Sequence, residues 1–355
     1  MINLSRKLLA CLLSIVFVFN LTACHTTKLK RFDASFLELF DTVTTITGYA
    51  SDKEEFTKYA QMIYDNLKVY HQLYDIYNDY DGINNIKTIN ENAGIKPVKV
   101  DKKIIDMLTF AKEGYELTGG QMNVAFGAVL SVWHDYRTSG VNDPANAKLP
   151  PMDVLKERAK HTDINKVIIN EKDSTVYLED PEMSLDVGAV AKGYATEQVA
   201  KYAYEQGFKS GSISVGGNVR TLDSKADTKE PWSIGIQNPD LESKDKYLYI
   251  LNLKNMSLVT SGVYERYYTV NGKQYHHIID PDTLMPAEGY LSVSIVTKDS
   301  GMADCLAKII NMPFKEGLQL IESIPDTEAL WVFQNGEVKY SSHFESYIKT
   351  SYIKQ

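Results

Sequence analysis

The chain has 355 residues, 44% of them hydrophobic and 24% charged, which is enough apolar material for one large domain or two lobes. A net charge of −8 excludes a protein that binds nucleic acid non-specifically, because such binding needs a basic surface. With only three cysteines, Cys11, Cys24 and Cys305, a disulfide-stapled scaffold is excluded too.

Arg6 and Lys7 precede an apolar run, residues 8–19. That run is shorter than the roughly 20 apolar residues a bilayer span needs, and a charged start with an apolar centre is the pattern of a cleaved export signal. Its exit, Leu21-Thr22-Ala23-Cys24, resembles the lipobox of bacterial lipoproteins. Residues 1–23 therefore read as a signal peptide and Cys24 as the lipidated new N-terminus, anchored by acyl chains whose buried methylenes contribute about 0.8 kcal/mol each. Cys11 leaves with the signal and Cys24 carries lipid, so Cys305 has no internal partner. Residues 24–35 are expected to form a tether and residues 36–355 the folded part.

Residues 43–49 are β-branched and predict a strand. Phe56, Tyr59, Ile63, Leu67, Tyr70, Tyr74 and Tyr77 recur at three-to-four spacing and predict a helix reaching Tyr77. A turn-rich connector over 77–92 leads to a helix at 104–117, which Gly119-Gly120 stops. The polar, Pro-punctuated stretch 139–151 is the expected lobe boundary. A hairpin at 166–169 and 175–178 precedes a helix at 189–206. Strands follow at 212–215, 232–236, 247–253, 267–270 and 291–297, then helices at 302–311 and 314–324, then strands at 330–333 and 338–340. Helices and strands without strict alternation predict an α+β fold.

Four islands carry chemistry. Asp186-Val-Gly-Ala-Val-Ala-Lys-Gly-Tyr194 places small residues ahead of a helix, where backbone N–H groups can approach a phosphate; a tight strand-to-helix turn has the same composition. Ser214-Val-Gly-Gly-Asn218 reads as a turn or bulge. Thr260-Ser-Gly262 is followed by Tyr275-His-His-Ile-Ile-Asp280-Pro281, whose adjacent histidines point to opposite faces of a strand, so that one at most faces a site. Ala303-Asp304-Cys305-Leu306-Ala307-Lys308 opens a helix, where Asp304 is either a cap or an oxygen ligand for a hard cation.

In order and spacing these islands resemble the ApbE family of FAD:protein FMN transferases, from about Phe40 to the C-terminus. Phe40-Asp41-Thr42 resembles the lead into that family's first strand, and Tyr77 with residues 84–90 resembles its flavin-contacting loop. Gln121-Met122-Asn123-Val124-Ala125 with Gly127 stands where the family usually has Phe-Asp-Pro-Thr and a glycine. The resemblance implies an ApbE-like, T-fold-related mixed-sheet core with packed helices and a flavin cleft between two lobes. It also implies that FAD is substrate, that Mg²⁺ sits on its pyrophosphate, and that a Thr or Ser hydroxyl of a partner displaces AMP. His277 is then the proton acceptor. Phe40, Tyr77, Gln121, Met122, Asn123, Asp186, Lys192 and Ile279 contact the flavin nucleotide, and the Ala189 carbonyl and the Asp304 carboxylate hold the metal. The family usually places Thr four residues after that Asp, where this chain has Lys308. The ammonium either substitutes for the metal's charge or turns outward and leaves a weakened metal site, or activity is reduced; a lower Mg²⁺ affinity is the expectation. Implied acceptors are membrane redox complexes of the Rnf or Na⁺-pumping quinone reductase type and secreted proteins with FMN-binding domains, reached from the outer face of the cell membrane. An FAD pyrophosphatase and a non-catalytic FAD-binding lipoprotein are the rival readings.

Overall fold

The computed structural model describes residues 28–353, so the signal and Cys24 lie outside the described residues. The centre is an eight-stranded sheet in the order β1-β2-β6-β7-β10-β13-β14-β15. Its strands are β1 (Lys30–Phe36), β2 (Thr44–Ala50), β6 (Gly211–Val215), β7 (Asn218–Leu222), β10 (Ser257–Gly262), β13 (Tyr290–Thr297), β14 (Glu328–Phe333) and β15 (Val338–Tyr340). Every pairing in it is antiparallel, as an α+β fold requires. Smaller sheets are β3-β5-β4 (Val98–Lys99, Thr175–Leu178, Val167–Asn170), β16-β9-β8 (Ile348–Ser351, Tyr247–Leu253, Trp232–Gln237) and the hairpin β11-β12 (Tyr267–Val270, Lys273–His276).

Alternation along the central strands builds three layers, because successive side chains leave a strand on opposite faces. Val259, Ile295 and Trp331 enter the core beneath the helices, whereas their neighbours Leu258, Val296 and Leu330 pack with Ile236, Leu251 and Phe344 of the outer layer. The helical layer consists of α1 (Lys53–Tyr74), α2 (Ile86–Glu91), α3 (Lys102–Leu117), α4 (Gly127–Asn142), α5 (Met152–Ala159), α6 (Ala191–Glu205), α7 (Ser300–Leu306) and α8 (Phe314–Glu322). Helices α1 and α6 pack on each other, and α6 and α7 meet along their lengths.

Three expectations need correcting. Residues 30–35, expected in the tether, join Phe36 in edge strand β1, which pairs with β2 along its whole length. Phe32, Ala34 and Phe36 alternate inward, and Phe32 stacks on Phe56 at 5.4 Å between ring centroids. The outward Arg31, Asp33 and Ser35 suit an exposed sheet edge. Nor does the segment 139–151 divide lobes. Helix α4 runs to Asn142, a Cβ on Gly140 would lie 2.5 Å from the Tyr268 ring, and the Tyr268 hydroxyl donates to the Lys148 carbonyl at 3.1 Å. Helix α1 ends at Tyr74 rather than Tyr77, because Asp75 Oδ1 accepts the Tyr77 and Asn78 N–H groups at 2.7 and 3.0 Å and opens a turn.

If β1 is part of the fold, Phe32→Ala should lower stability by about 2 kcal/mol in urea unfolding, below the roughly 3–5 kcal/mol typical of a fully buried Phe. An unchanged midpoint would return the segment to the tether.

Candidate active site

A cavity of about 390 Å³ opens where the loop before β2, the end of α1, the inner face of α4, the start of α6 and the β11-β12 hairpin converge. This size falls in the usual range of small-molecule sites. Phe40, Tyr77, Gln121, Asn123, Asp186, Ala189, Lys192, His277, Ile279, Asp304 and Lys308 all line it. Met122 does not. Its side chain is fully buried beside Gly114 and Cys305, because its N–H is drawn to the Thr118 hydroxyl at 3.0 Å and the side chain turns into the core.

The rim is held by a relay of polar groups. Phe40 and Asp41 adopt positive φ, 56° and 50°, a costly conformation for residues with a Cβ. The Phe40 N–H donates to His71 Nδ1 at 3.3 Å, the His71 Nε2–H then faces the Tyr80 hydroxyl at 3.4 Å, and that hydroxyl donates to Asp75 Oδ2 at 2.7 Å. The carboxyl of Asp75 is partly withdrawn from water, which opposes ionisation, but donors from Asn78, Tyr77 and Tyr80 outweigh this and hold its pKa below the usual range. The same turn leaves Tyr77 56% exposed, with its ring 5.4 Å from that of His134.

The floor is built around Asp304, which is 4% exposed. Its Oδ2 accepts the Gly193 N–H and the Asn218 amide, each at 2.9 Å. In an unbroken helix that N–H would serve the Ala189 carbonyl; redirected to Asp304, it leaves the carbonyl without a donor among the described residues. Helices α6 and α7 approach so closely that a Cβ on Gly193 would lie 2.4 Å from the Ser300 carbonyl oxygen and 2.6 Å from Asp304 Cβ. Asn218 arrives from a hairpin whose two-residue turn, Gly216-Gly217, has φ of 56° and 85° at its centre, positions open to glycine. Buried Glu197 locks the same corner by accepting from Arg220 Nε and the Ser300 N–H, both at 2.9 Å.

The two histidines diverge, as alternation requires. His276 spends both ring nitrogens internally, Nε2 on the Ala287 carbonyl at 2.9 Å and Nδ1 on the Ile278 N–H at 3.3 Å. His277 turns to the cleft and sets Nδ1 against the Arg266 carbonyl at 3.2 Å. A carbonyl only accepts, so Nδ1 carries the proton and Nε2 is a bare acceptor. Enclosure by the cleft walls, then the charges of Lys308, Arg266 and Arg137, push its pKa down to about 3.

A family model described as ApbE family matches residues 40–331. The chain belongs to the ApbE family. It is 31% identical to the FAD:protein FMN transferase of Treponema pallidum over 272 residues, covering 72% of this chain and 73% of that one. Against the FAD:protein FMN transferase of Klebsiella pneumoniae it is 30% identical over 260 residues, with 72% and 77% covered. Among solved structures, the ApbE protein of Thermotoga maritima superposes with a TM-score of 0.79 at 25% identity, covering 90% of this chain and all of the other. The flavin transferase ApbE of Vibrio cholerae shares the fold, with a TM-score of 0.73 at 21% identity and the same coverage.

This ApbE cleft also contains residues the sequence did not single out. Arg137 and Arg266 join Lys192 and Lys308 in its wall, and none of the four has a carboxylate within 4 Å among the described residues. Arg137 is partly buried, which weakens its hold on its proton, as does the Arg266 charge; its one side-chain hydrogen bond among the described residues is to His134 Nδ1 at 3.1 Å. Phe126, Leu130, Trp133, His134 and Arg137 follow helical three-to-four spacing, a signal present in the sequence along the inner face of α4. Lys308 does not pair with Asp304, although four residues separate them on one helical stretch, since no ion pair joins them within 4 Å. Burial lowers its pKa and Asp304 opposes that shift.

Asp304 Oδ1 and the Ala189 carbonyl are oxygens with no hydrogen-bond partner among the described residues, and such a pair fits Mg²⁺, which commonly binds through few protein oxygens plus phosphates and water. No cluster of three His, Cys, Asp or Glu side chains suited to a metal exists among the described residues. The Lys308 ammonium has no lone pair to offer and is not a ligand. Because α6 and α7 touch through Gly193, Gly193→Ala should destabilise the protein by about 1–3 kcal/mol through overpacking. Thermal unfolding reads this directly, and an unshifted melting temperature would contradict the packing argument.

Proposed function

We propose that this chain transfers the FMN half of FAD to a Thr or Ser hydroxyl of an acceptor flavoprotein outside the cytoplasm, releasing AMP. The observation that carries the reading is one bare imidazole nitrogen, His277 Nε2, in a cleft whose four cations have no carboxylate within 4 Å among the described residues. Such a wall suits a substrate with a charged diphosphate, and family membership supports flavin as its remainder. In the reaction the acceptor oxygen bonds to the FMN phosphorus, its proton passes to His277 Nε2, and the bond from that phosphorus to the AMP oxygen breaks. Tyr77 and Phe40 offer aromatic surface at the rim, and Asp186 and Lys192 reach the nucleotide from the start of α6. Mg²⁺ held by Asp304 and Ala189 would neutralise charge on the diphosphate.

The test combines the protein, FAD, Mg²⁺ and an acceptor carrying an FMN-attachment threonine, with mass spectrometry of the acceptor. Covalent FMN is expected, whereas free FMN and AMP without modified acceptor would make the protein a pyrophosphatase instead. His277→Ala should cost about 10²–10⁴-fold in rate, the usual scale for general base catalysis. Because His277 is neutral well below pH 6 in the free protein, kcat/KM should hold steady from pH 8 to pH 6. A wild-type rate in His277→Ala would remove His277 from the mechanism, whereas an acidic limb centred near the ordinary histidine value would show that the cleft does not depress its basicity.

We further propose that Cys24 is acylated and keeps the enzyme at the outer face of the cell membrane, near acceptors of the Rnf, Na⁺-pumping quinone reductase or FMN-binding-domain type. With β1 starting at Lys30, the linker is only residues 24–29, which reach about 20 Å at roughly 3.3–3.6 Å per residue. Cys24→Ser should move the protein from the membrane fraction to the soluble fraction, and continued sedimentation with membranes would refute the anchor.

A further inference from the structure

We infer that Lys308 and Arg137 bind the substrate diphosphate directly, so that FAD is held in the cleft without a divalent cation and the cation serves the transfer step alone. This rests on the flavin reading above and deepens it.

Two observations carry the inference. Lys308 is a largely buried ammonium that lines the cavity, yet it makes no ion pair with any described residue. Leaving an ammonium partly desolvated and unpaired is costly, and the cost is recovered only when an anion arrives. Its nearest carboxylate along the chain is Asp304, whose Oδ2 already accepts from Gly193 and Asn218 and which makes no ion pair with Lys308 within 4 Å. Arg137 reaches the same space from α4. Among the described residues it too has no carboxylate within 4 Å and its one side-chain hydrogen bond is to a histidine nitrogen, so most of its planar fork of donors is unspent. A guanidinium fork matches two phosphate oxygens, whereas an ammonium acts as a point charge.

Both cations act on His277, with Lys308 first among the charges that disfavour its protonation and Arg137 also contributing. All three side chains line one cavity, so the two cations share the space in which the attacked phosphorus must lie. A dinucleotide diphosphate carries one negative charge per phosphate, and these two side chains supply one positive charge for each. The Ala189 carbonyl and Asp304 Oδ1 accept no hydrogen bond among the described residues and stay free for a cation that arrives with or after the substrate.

The experiment titrates the mature protein with FAD, followed by flavin fluorescence, in EDTA and in Mg²⁺, and repeats both with inorganic pyrophosphate by calorimetry. Wild type should bind FAD in EDTA within about threefold of its affinity in Mg²⁺, while Lys308→Thr and Arg137→Gln each weaken the EDTA affinity by about tenfold or more, the scale of a charge-assisted hydrogen bond. Lys308→Arg keeps the charge and should keep most of the affinity, which separates loss of charge from misfolding. If wild type binds FAD only with Mg²⁺, or if Lys308→Thr binds as well as wild type in EDTA, the inference fails while the flavin reading stands. If FAD binds under neither condition but pyrophosphate binds without metal and through Lys308, the flavin reading fails and the diphosphate site stands.

Discussion

The cleft depends on one carboxylate oxygen. Asp304 Oδ2 takes the Gly193 N–H from α6 and the Asn218 amide from β7, and so joins the helix that carries it to two other elements. Hydrogen bonds to a charged acceptor contribute about 1.5–3 kcal/mol each, more than neutral ones. The larger consequence is geometric. The N–H drawn to Asp304 is the one that would have closed on the Ala189 carbonyl, so a single interaction both packs the helices and leaves a backbone oxygen open to the cavity. Glycine at 193 is what permits the approach, and Glu197 holds Ser300 and Arg220 against the same junction.

Around that junction the fold separates support from chemistry. The eight-stranded sheet is covered by helices on one face and by the β16-β9-β8 sheet on the other, so its central strands are buried on both sides. The groups that line the cavity stand on the loop after α1, the inner face of α4, the start of α6, the hairpin turn at Gly216-Gly217, the segment after β12 and the helical stretch from Asp304 to Lys308. The loop after α1 and the segment after β12 are pinned by side chain to backbone bonds, Asp75 to Tyr77 and Asn78 in the one and His277 to Arg266 in the other. Pinning of this kind keeps a loop precise enough to orient substrate, which a mobile loop cannot do.

Much of this could be read before the structure was known, because much of it is local. The period-two run at 247–253 and the period-3.6 stripe from Phe56 to Tyr74 predict elements that form as expected. The four islands, read for their small and chemically distinctive residues, meet in one cavity. Where reading failed, a distant partner or a competing local bond decided. Lys30–Phe36 becomes a strand because β2 and the Phe56 ring are there to receive it. Tyr77 fits the helical period, yet the Asp75 side chain takes its N–H and ends the helix first.

By itself, then, the sequence determined the α+β class, the family to which the chain belongs and most of the residues that reach the cleft, since periodicity and motif spacing are properties of neighbouring residues. Tertiary structure alone decided that Met122 packs into the core, that of two adjacent histidines His277 is the one with a free nitrogen, and that Arg137 faces the site. It also decided that Lys308 stands apart from Asp304. Burial, tautomer and ion pairing depend on which groups from remote parts of the chain arrive within a few ångströms, and no local pattern encodes that.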